Sequence, residues 1–256
     1  MNSQTEDSLN KITGYEDRFK EIQAVNILSG FKYSGVRDME FDYFRKYQKK
    51  VYIKNILEFP ADGLYLNKIF PNAKIDKADL LTSDSSMFPE KLLKTDFSLK
   101  NIKKSYYDAI FCVTPIHHAT DMEINLFISA CHSCLKVGGF LVVAEVMLNS
   151  KVANFLDSFV NKYSLAGHIG NYPDIEFLKK MEFSDFGNLT YKVVNLEWIF
   201  NSEIELVDFI TLIFGLKTLE PNFILNALND FLGLKKIDHK LYLDWELIYF
   251  DGRKKN

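Results

Sequence analysis

Residues able to do chemistry gather at a few points of this chain. His117 and His118 stand three and four positions after Thr114, in Val113-Thr114-Pro115-Ile116-His117-His118. Imidazole titrates near neutrality, so either ring could take a proton from a hydroxyl, amine or carboxyl group. The competing reading has one ring cap the helix that follows while the other packs inward. Carboxylates close two apolar runs, Glu58 after Asn55-Ile56-Leu57 and Asp79 after Ile75-Asp76-Lys77-Ala78, and a third acid, Asp96, precedes Phe97. Cys131-His132-Ser133-Cys134, with Cys112 upstream, has a spacing that can bind zinc or do redox chemistry. It falls inside a predicted helix, however, and Cys112 falls in mid-strand. Buried structural thiols are therefore expected, and no metal site.

The elements that position these groups alternate. Helices are predicted over 15–30 and 37–50, and a strand over 52–59 is followed by a helix over 63–70. Shorter strands over 74–79 and 91–95 come next. Tyr107 to Val113 is a continuous apolar strand, Asp121 to Leu135 a helix with Asp121 near its N-cap, and Gly138-Gly139 turns the chain into a strand over 140–146. That order makes a parallel crossover unit, with the histidine loop at the carboxyl end of its first strand, where an open α/β sheet usually works. An amphipathic stretch over 151–163, a helix over 174–181 and a strand over 190–198 follow. Helices over 202–214 and 222–231 then lead to a last strand over 241–250. Ser202 is placed to cap the first of these two helices and Pro221 to open the second. The layout predicts a doubly wound, mostly parallel seven-stranded sheet. N-terminal helices occupy 1–50, and the α/β domain spans 51–256, with lid segments at about 148–172 and 201–238.

Composition narrows the partners. A net charge of −3 and a pI near 6.0 supply no field for a phosphate backbone, so nucleic acid is not expected as a partner. No apolar run reaches membrane-spanning length and the first twelve residues are polar, so no membrane association and a cytoplasmic location are expected. Three cysteines make no disulfide framework, which agrees with a reducing compartment. The 22 phenylalanines and 13 tyrosines exceed what loops need and suit a pocket or lid as well as a core.

With these motifs in order, the chain resembles the class I S-adenosylmethionine (SAM) methyltransferases, small-molecule type, over roughly residues 50–250. LKVGGFLVVAE at 135–145 is similar to the family's Leu-Lys-Pro-Gly-Gly turn, with Val137 in place of proline. Ile116-His117-His118 is similar to its Leu-His-His, and Asp108 opens its strand as the family's Tyr-Asp-Ala motif does. The resemblance implies SAM as cofactor. Glu58 would orient the first loop or the SAM amino group, Asp79 would hold the ribose hydroxyls through two carboxylate oxygens, Asp96 and Phe97 would contact adenine, and Thr114 would line the site. It also implies that N-terminal aromatics such as Tyr15, Phe19 and Tyr33 close over the cofactor, and that Tyr172, His168 and Trp198 belong to a lid enclosing the substrate. For these aromatics the alternative is packing within the fold. A homodimer is compatible with this reading.

The first loop departs from the pattern. Where the family carries Gly-x-Gly-x-Gly, this chain has Pro60 at the first glycine, then Asp62 and Gly63. Proline removes a donor and fixes φ. Asp62 repels a carboxylate, although it can accept from an ammonium, and Gly63 keeps one point of close approach. Three functions stay open: methyl transfer to a small molecule or carrier-bound metabolite, a SAM-using cyclisation or rearrangement, and a methyltransferase-like partner subunit that no longer binds SAM.

Overall fold

The computed structural model describes residues 32–33, 35–48, 53–61, 64–80, 92–114 and 116–255. The expectations for 15–30, with Tyr15 and Phe19, and for Asp62 and Gly63 lie outside the described residues.

The apolar runs become parallel strands. β1 (Asn55–Glu58) pairs with β2 (Lys74–Asp79) and β4 (Tyr107–Val113), and β4 pairs with β5 (Leu135–Glu145). β3 (Leu93–Lys94) adds to β2. Two 15-residue strands complete the sheet: β8 (Lys240–Lys254) runs antiparallel between β5 and β6 (Phe186–Phe200), giving the order β3-β2-β1-β4-β5-β8-β6. An unpredicted strand, β7 (Leu234–Ile237), pairs with the start of β8 and makes the sheet eight-stranded. β6 occupies one edge of β8 along this stretch, so β7 takes the edge that β5 uses further along.

The helices among the described residues are α1 (Asp38–Asp42), α2 (Tyr65–Ile69), α3 (Asp121–Cys134), α4 (Lys151–Phe155), α5 (Asn161–Tyr163), α6 (Phe177–Phe183), α7 (Glu203–Phe214) and α8 (Pro221–Phe231). Strand alternation sorts the core into two layers. Leu57, Ile110, Cys112, Leu141 and Val143 face Phe127, Ile128 and Cys131 of α3 and Met181 of α6. Ile56, Ala109, Phe111, Phe140 and Val142 face the opposite layer, which holds α1, α2, α4, α7 and α8.

Local chemistry explains where the elements differ from expectation. The predicted helix over 37–50 is α1 followed by a 3₁₀ segment, Tyr43–Tyr47. The three-residue repeat of a 3₁₀ turn keeps Phe41, Phe44 and Tyr47 on one side. Phe44 lies 4.5 Å from Phe111, ring centre to ring centre, and Tyr47 stacks on Phe140 at 4.4 Å. The N-cap of α3 is Thr120, one residue before Asp121. Its hydroxyl accepts the Glu123 N–H at 3.3 Å, and Glu123 Oε2 accepts the Thr120 N–H at 2.8 Å. Ser202 caps α7 and Pro221 opens α8 as expected.

Gly138 has φ +74°, and a Cβ on Gly139 would lie 2.9 Å from Lys136 O and 3.2 Å from Asp108 O, so only glycine lets β5 lie against β4 here. Asp108 sits at this amino edge of the sheet. It accepts the Asn55 N–H at 2.8 Å and the Lys136 ammonium at 2.6 Å. Burial raises its pKa, but these bonds outweigh burial and hold the carboxyl below the ordinary range. Among the described residues no helix is long and apolar enough to cross a membrane.

Candidate active site at the carboxyl edge of the sheet

β4 ends at Val113, and Thr114 turns the chain with φ +58° while donating its N–H to Ala144 O at 2.9 Å. A 3₁₀ turn, Ile116–His118, then carries both predicted histidines over the end of β5. The last residue of β5 is Glu145, which is fully buried. Its Oε2 accepts the N–H groups of Ile116 at 2.7 Å and His117 at 3.2 Å. Its Oε1 accepts the Val146 N–H at 2.9 Å and lies 2.7 Å from His117 Nδ1. This fixes the ring: with the proton on Nδ1 facing Glu145, the lone pair of neutral His117 is on Nε2.

A second loop joins the first. Asn171 donates its backbone N–H to His117 O at 2.7 Å and its side-chain amide to Ala119 O at 3.2 Å. This brings His168 and Tyr172 onto the histidine pair. Ring centres are 3.9 Å apart for His117 and His118, 5.3 Å for His117 and His168, and 5.1 Å for His118 and His168. Tyr172 stacks on His117 at 5.5 Å.

Asp157 holds this loop from outside. It accepts the Tyr172 hydroxyl at 2.7 Å and the Gly170 N–H at 3.1 Å, and lies 3.3 Å from His168 Nδ1. The predicted amphipathic helix over 151–163 is α4 and α5 joined by a π-helical turn, Leu156–Val160, and Asp157 lies on that turn. A Cβ on Gly170 would sit 2.3 Å from the Tyr172 ring, so glycine is needed for the tyrosine to reach Asp157. Burial, with His117 and His168 beside it, holds His118 well below the ordinary imidazole range. Burial also lowers His168, to about 4, against the pull of Asp157. Both rings are neutral at pH 7.

The cofactor-side residues are distributed differently. Glu58 ends β1, and its Oε2 lies 3.1 Å from Lys77 Nζ, with both side chains buried. Their positions are set by register, since Glu58 and Lys77 are direct partners across β1 and β2. Asp79 ends β2, is buried, and accepts the Ala61 N–H at 3.2 Å. Pro60 follows Phe59 through a cis peptide.

Asp96 and Phe97, expected at adenine, also serve the turn and the core around them. Asp96 caps its own turn by accepting from the Ser98 N–H at 3.0 Å and from the Ser98 hydroxyl, and pairs with Lys100 at 2.8 Å. The Lys100 and Ser98 bonds lower its pKa. Phe97 is buried, edge-on to Phe59 and Phe127.

Two of the predicted substrate-side aromatics, Tyr33 and Trp198, pack against α7. Tyr33 donates to Asp208 on α7 and meets Phe209 edge-on at 5.8 Å. Trp198 is buried between sheet and α1. It stacks on Trp245 at 4.0 Å and donates Nε1–H to Glu40 at 2.7 Å, and Glu40 is itself paired with Arg37 at 2.5 Å. A cavity of about 560 Å³ opens by Met39, Val152, Leu196 and Trp245, and its lining does not include the histidine cluster. The three cysteines are buried, and burial pushes the Cys112 and Cys131 thiols well up, so they stay protonated.

Sequence reasoning missed Glu145, Asp157 and Lys77. Glu145 had a visible signal, as the one charged residue closing the apolar run Phe140 to Ala144. Lys77 had a weaker one, a cation inside a strand. Asp157 had none, because its role depends on the π turn.

No family model and no curated protein sequence matches the chain. Solved structures do. The YcgJ protein of Bacillus subtilis shares 11% of residues over 84% of this chain and 98% of its own, with a TM-score of 0.56. A SAM-dependent methyltransferase from Archaeoglobus fulgidus shares 18%, covering 87% and 96%, at 0.52. The 1,6-didemethyltoxoflavin-N1-methyltransferase of Burkholderia thailandensis, solved with 1,6-didemethyltoxoflavin and S-adenosylhomocysteine, shares 8%, covering 94% and 89%, at 0.54. The fold is that of the class I SAM-dependent methyltransferases.

Proposed function

We propose that this chain is a SAM-dependent methyltransferase acting on a small molecule or a carrier-bound metabolite. The observation that carries the reading is the His117–Glu145 pair at the carboxyl ends of β4 and β5. It lies beside the place where the strand order reverses, between β1 and β4.

The donor set fits the cofactor. Asp79 and Glu58 are carboxylates at the carboxyl ends of adjacent strands, suited to a ribose diol and an ammonium, and Thr114 offers a hydroxyl beside them. When bound, SAM supplies a methyl group made electrophilic by its sulfonium. The chain's own residues do the rest. Glu145 holds His117 in the tautomer whose Nε2 accepts a proton from the methyl acceptor. Tyr172 and the 168–172 loop cover the histidines and exclude water. The helices over 151–163 and 203–231 serve as the lid.

Calorimetry with SAM and with S-adenosylhomocysteine tests this. One molecule of each is expected to bind per chain, and Asp79→Ala should weaken both at least about tenfold, the loss of roughly 1.4 kcal/mol. Absence of heat and of a thermal shift at millimolar ligand overturns it. The buried Lys77–Glu58 pair favours a second reading in that event. The lysine already neutralises the acid that a cofactor's ammonium would meet, as in a methyltransferase-fold module that serves as a partner subunit.

A further inference from the structure

Three imidazoles from two loops converge at the carboxyl edge. The ligand nitrogens of His117, His118 and His168 all lie within 4.8 Å of one another. Three imidazoles around one divalent ion at a bond length of ~2.0–2.1 Å need nitrogens somewhat closer than that, a contraction that ring rotation can supply. The surroundings are those of a metal site. Two of the rings have Nδ1 against a carboxylate, His117 on Glu145 at 2.7 Å and His168 on Asp157 at 3.3 Å. A carboxylate on one ring nitrogen orients a histidine and makes the other nitrogen a better ligand. The two acids also bring two negative charges to balance a dication.

We infer that His117, His118 and His168 form a binding site for a divalent transition metal of the zinc class, with Glu145 and Asp157 as its outer carboxylates. Three nitrogen ligands leave a fourth position open, as in metal sites that bind water or substrate. Resting on the methyl-transfer reading, the acceptor's oxygen, nitrogen or sulfur takes that position. Bound there, the ion would acidify the acceptor so that its proton passes to solvent water before methyl transfer, and the lone pair assigned above to proton transfer would ligate instead. Neither the sequence spacing nor the fold assigns this site, because His168 is fifty positions away and arrives through the Asn171 bonds and the Asp157 contacts.

The test uses the full chain, stripped with chelator and titrated with Co²⁺ alone, with no SAM present. The expected result is one Co²⁺ per chain with the visible bands of a four-coordinate nitrogen–oxygen site, displaced by Zn²⁺. His168→Gln should abolish the spectrum. Asp157→Asn, which keeps every ligand, should weaken binding by about 10–100-fold. Circular dichroism on each variant separates a lost ligand from a lost fold, and the wild-type titration stands without any variant. No binding by the wild type at micromolar cobalt overturns the site. So does an intense sulfur-to-cobalt charge-transfer band, which would put the ion on Cys112, Cys131 or Cys134, and so does unchanged binding by His168→Gln. SAM calorimetry on the stripped protein is read separately, so failure of the metal site and failure of the cofactor reading are told apart.

Discussion

Glu145 Oε1 lies 2.7 Å from His117 Nδ1 while Oε2 of the same carboxylate accepts the Ile116 N–H, also at 2.7 Å. One buried acid thus closes β5, shapes the turn after β4 and orients the histidine. Four donors converge on its two oxygens, counting the N–H groups of His117 and Val146.

Replacing that acid by its amide tests how much of the edge depends on the charge. Glu145→Gln keeps the size but offers one acceptor oxygen, and its NH₂ must face N–H donors. A buried donor left unsatisfied costs about 1–3 kcal/mol, more where the lost partner was charged. A loss of roughly 3 kcal/mol is expected in urea unfolding, with the m-value unchanged. A loss below about 0.5 kcal/mol would mean that water already serves these donors.

Gly170→Ala should displace Tyr172, because the added methyl would lie 2.3 Å from its ring. The tyrosine would then leave Asp157 and uncover His117. A cost of about 1–3 kcal/mol is expected for the overlap. In the background of Tyr172→Ala the same change should cost much less, because the ring it strikes is gone. A double-mutant cycle in thermal unfolding measures the coupling. Additive costs would contradict the geometry.

Lys77→Met removes the cation of the buried pair that Glu58 makes at the end of β1. Removing one partner of a buried ion pair costs about 3–5 kcal/mol, whereas replacing both with apolar residues is close to neutral. Lys77→Met should therefore unfold at markedly lower denaturant, and Lys77→Met/Glu58→Leu should recover most of the loss. The double variant, folded but without the acid, should also fail to bind SAM. Retained SAM binding would remove Glu58 from the cofactor set.

Asp251 supplies a pH dependence away from the site. It accepts from Tyr43 at 3.0 Å and from Lys46 at 3.2 Å, yet its Oδ1 has no hydrogen-bond partner among the described residues. Burial raises its pKa, and Lys46 and Tyr43 offset that only in part. The folded state therefore holds this proton more tightly than the unfolded chain does, and stability is lost as pH rises from about 4 through the folded pKa. Asp251→Asn removes that loss. Its melting temperature relative to wild type should rise across this window and level off above it. A difference that is flat from pH 4 to 7 would show that the acid is ionised throughout.

The carboxyl-edge strands were legible because their residues carry the signal themselves: the apolar runs of β4 and β5, the double glycine early in β5, and acids at the ends of β1 and β2. β7 was not, since Leu234-Lys235-Lys236-Ile237 is short, centred on two lysines without an alternating apolar pattern, and becomes a strand only beside β8. His117 and His118 were visible as a pair, but the cluster was not. Its third ring and both of its outer carboxylates come from distant segments held by backbone bonds that side-chain types do not announce. The Asp96-Phe97 pair resembles an adenine contact in sequence, and the sequence did not show that Asp96 also caps a turn through Ser98 and Lys100 while Phe97 packs on Phe59.

Trp198 separates a lid residue from a core residue most directly. Lid aromatics exchange contacts with substrate, but this indole donates to Glu40, and Glu40 is already committed to Arg37 in a buried pair. Trp198→Phe keeps most of the apolar area and the stacking on Trp245 but removes the N–H, leaving Glu40 one donor short. The expected cost is about 1–3 kcal/mol. Affinity for SAM should stay within about twofold, a shift of roughly 0.4 kcal/mol, because the side chain lies between β6 and α1. Chemical denaturation and calorimetry on the same preparation check both parts. A stable protein with altered ligand binding would return Trp198 to the lid, and an unstable one with normal binding assigns it to the joint between sheet and N-terminal helix.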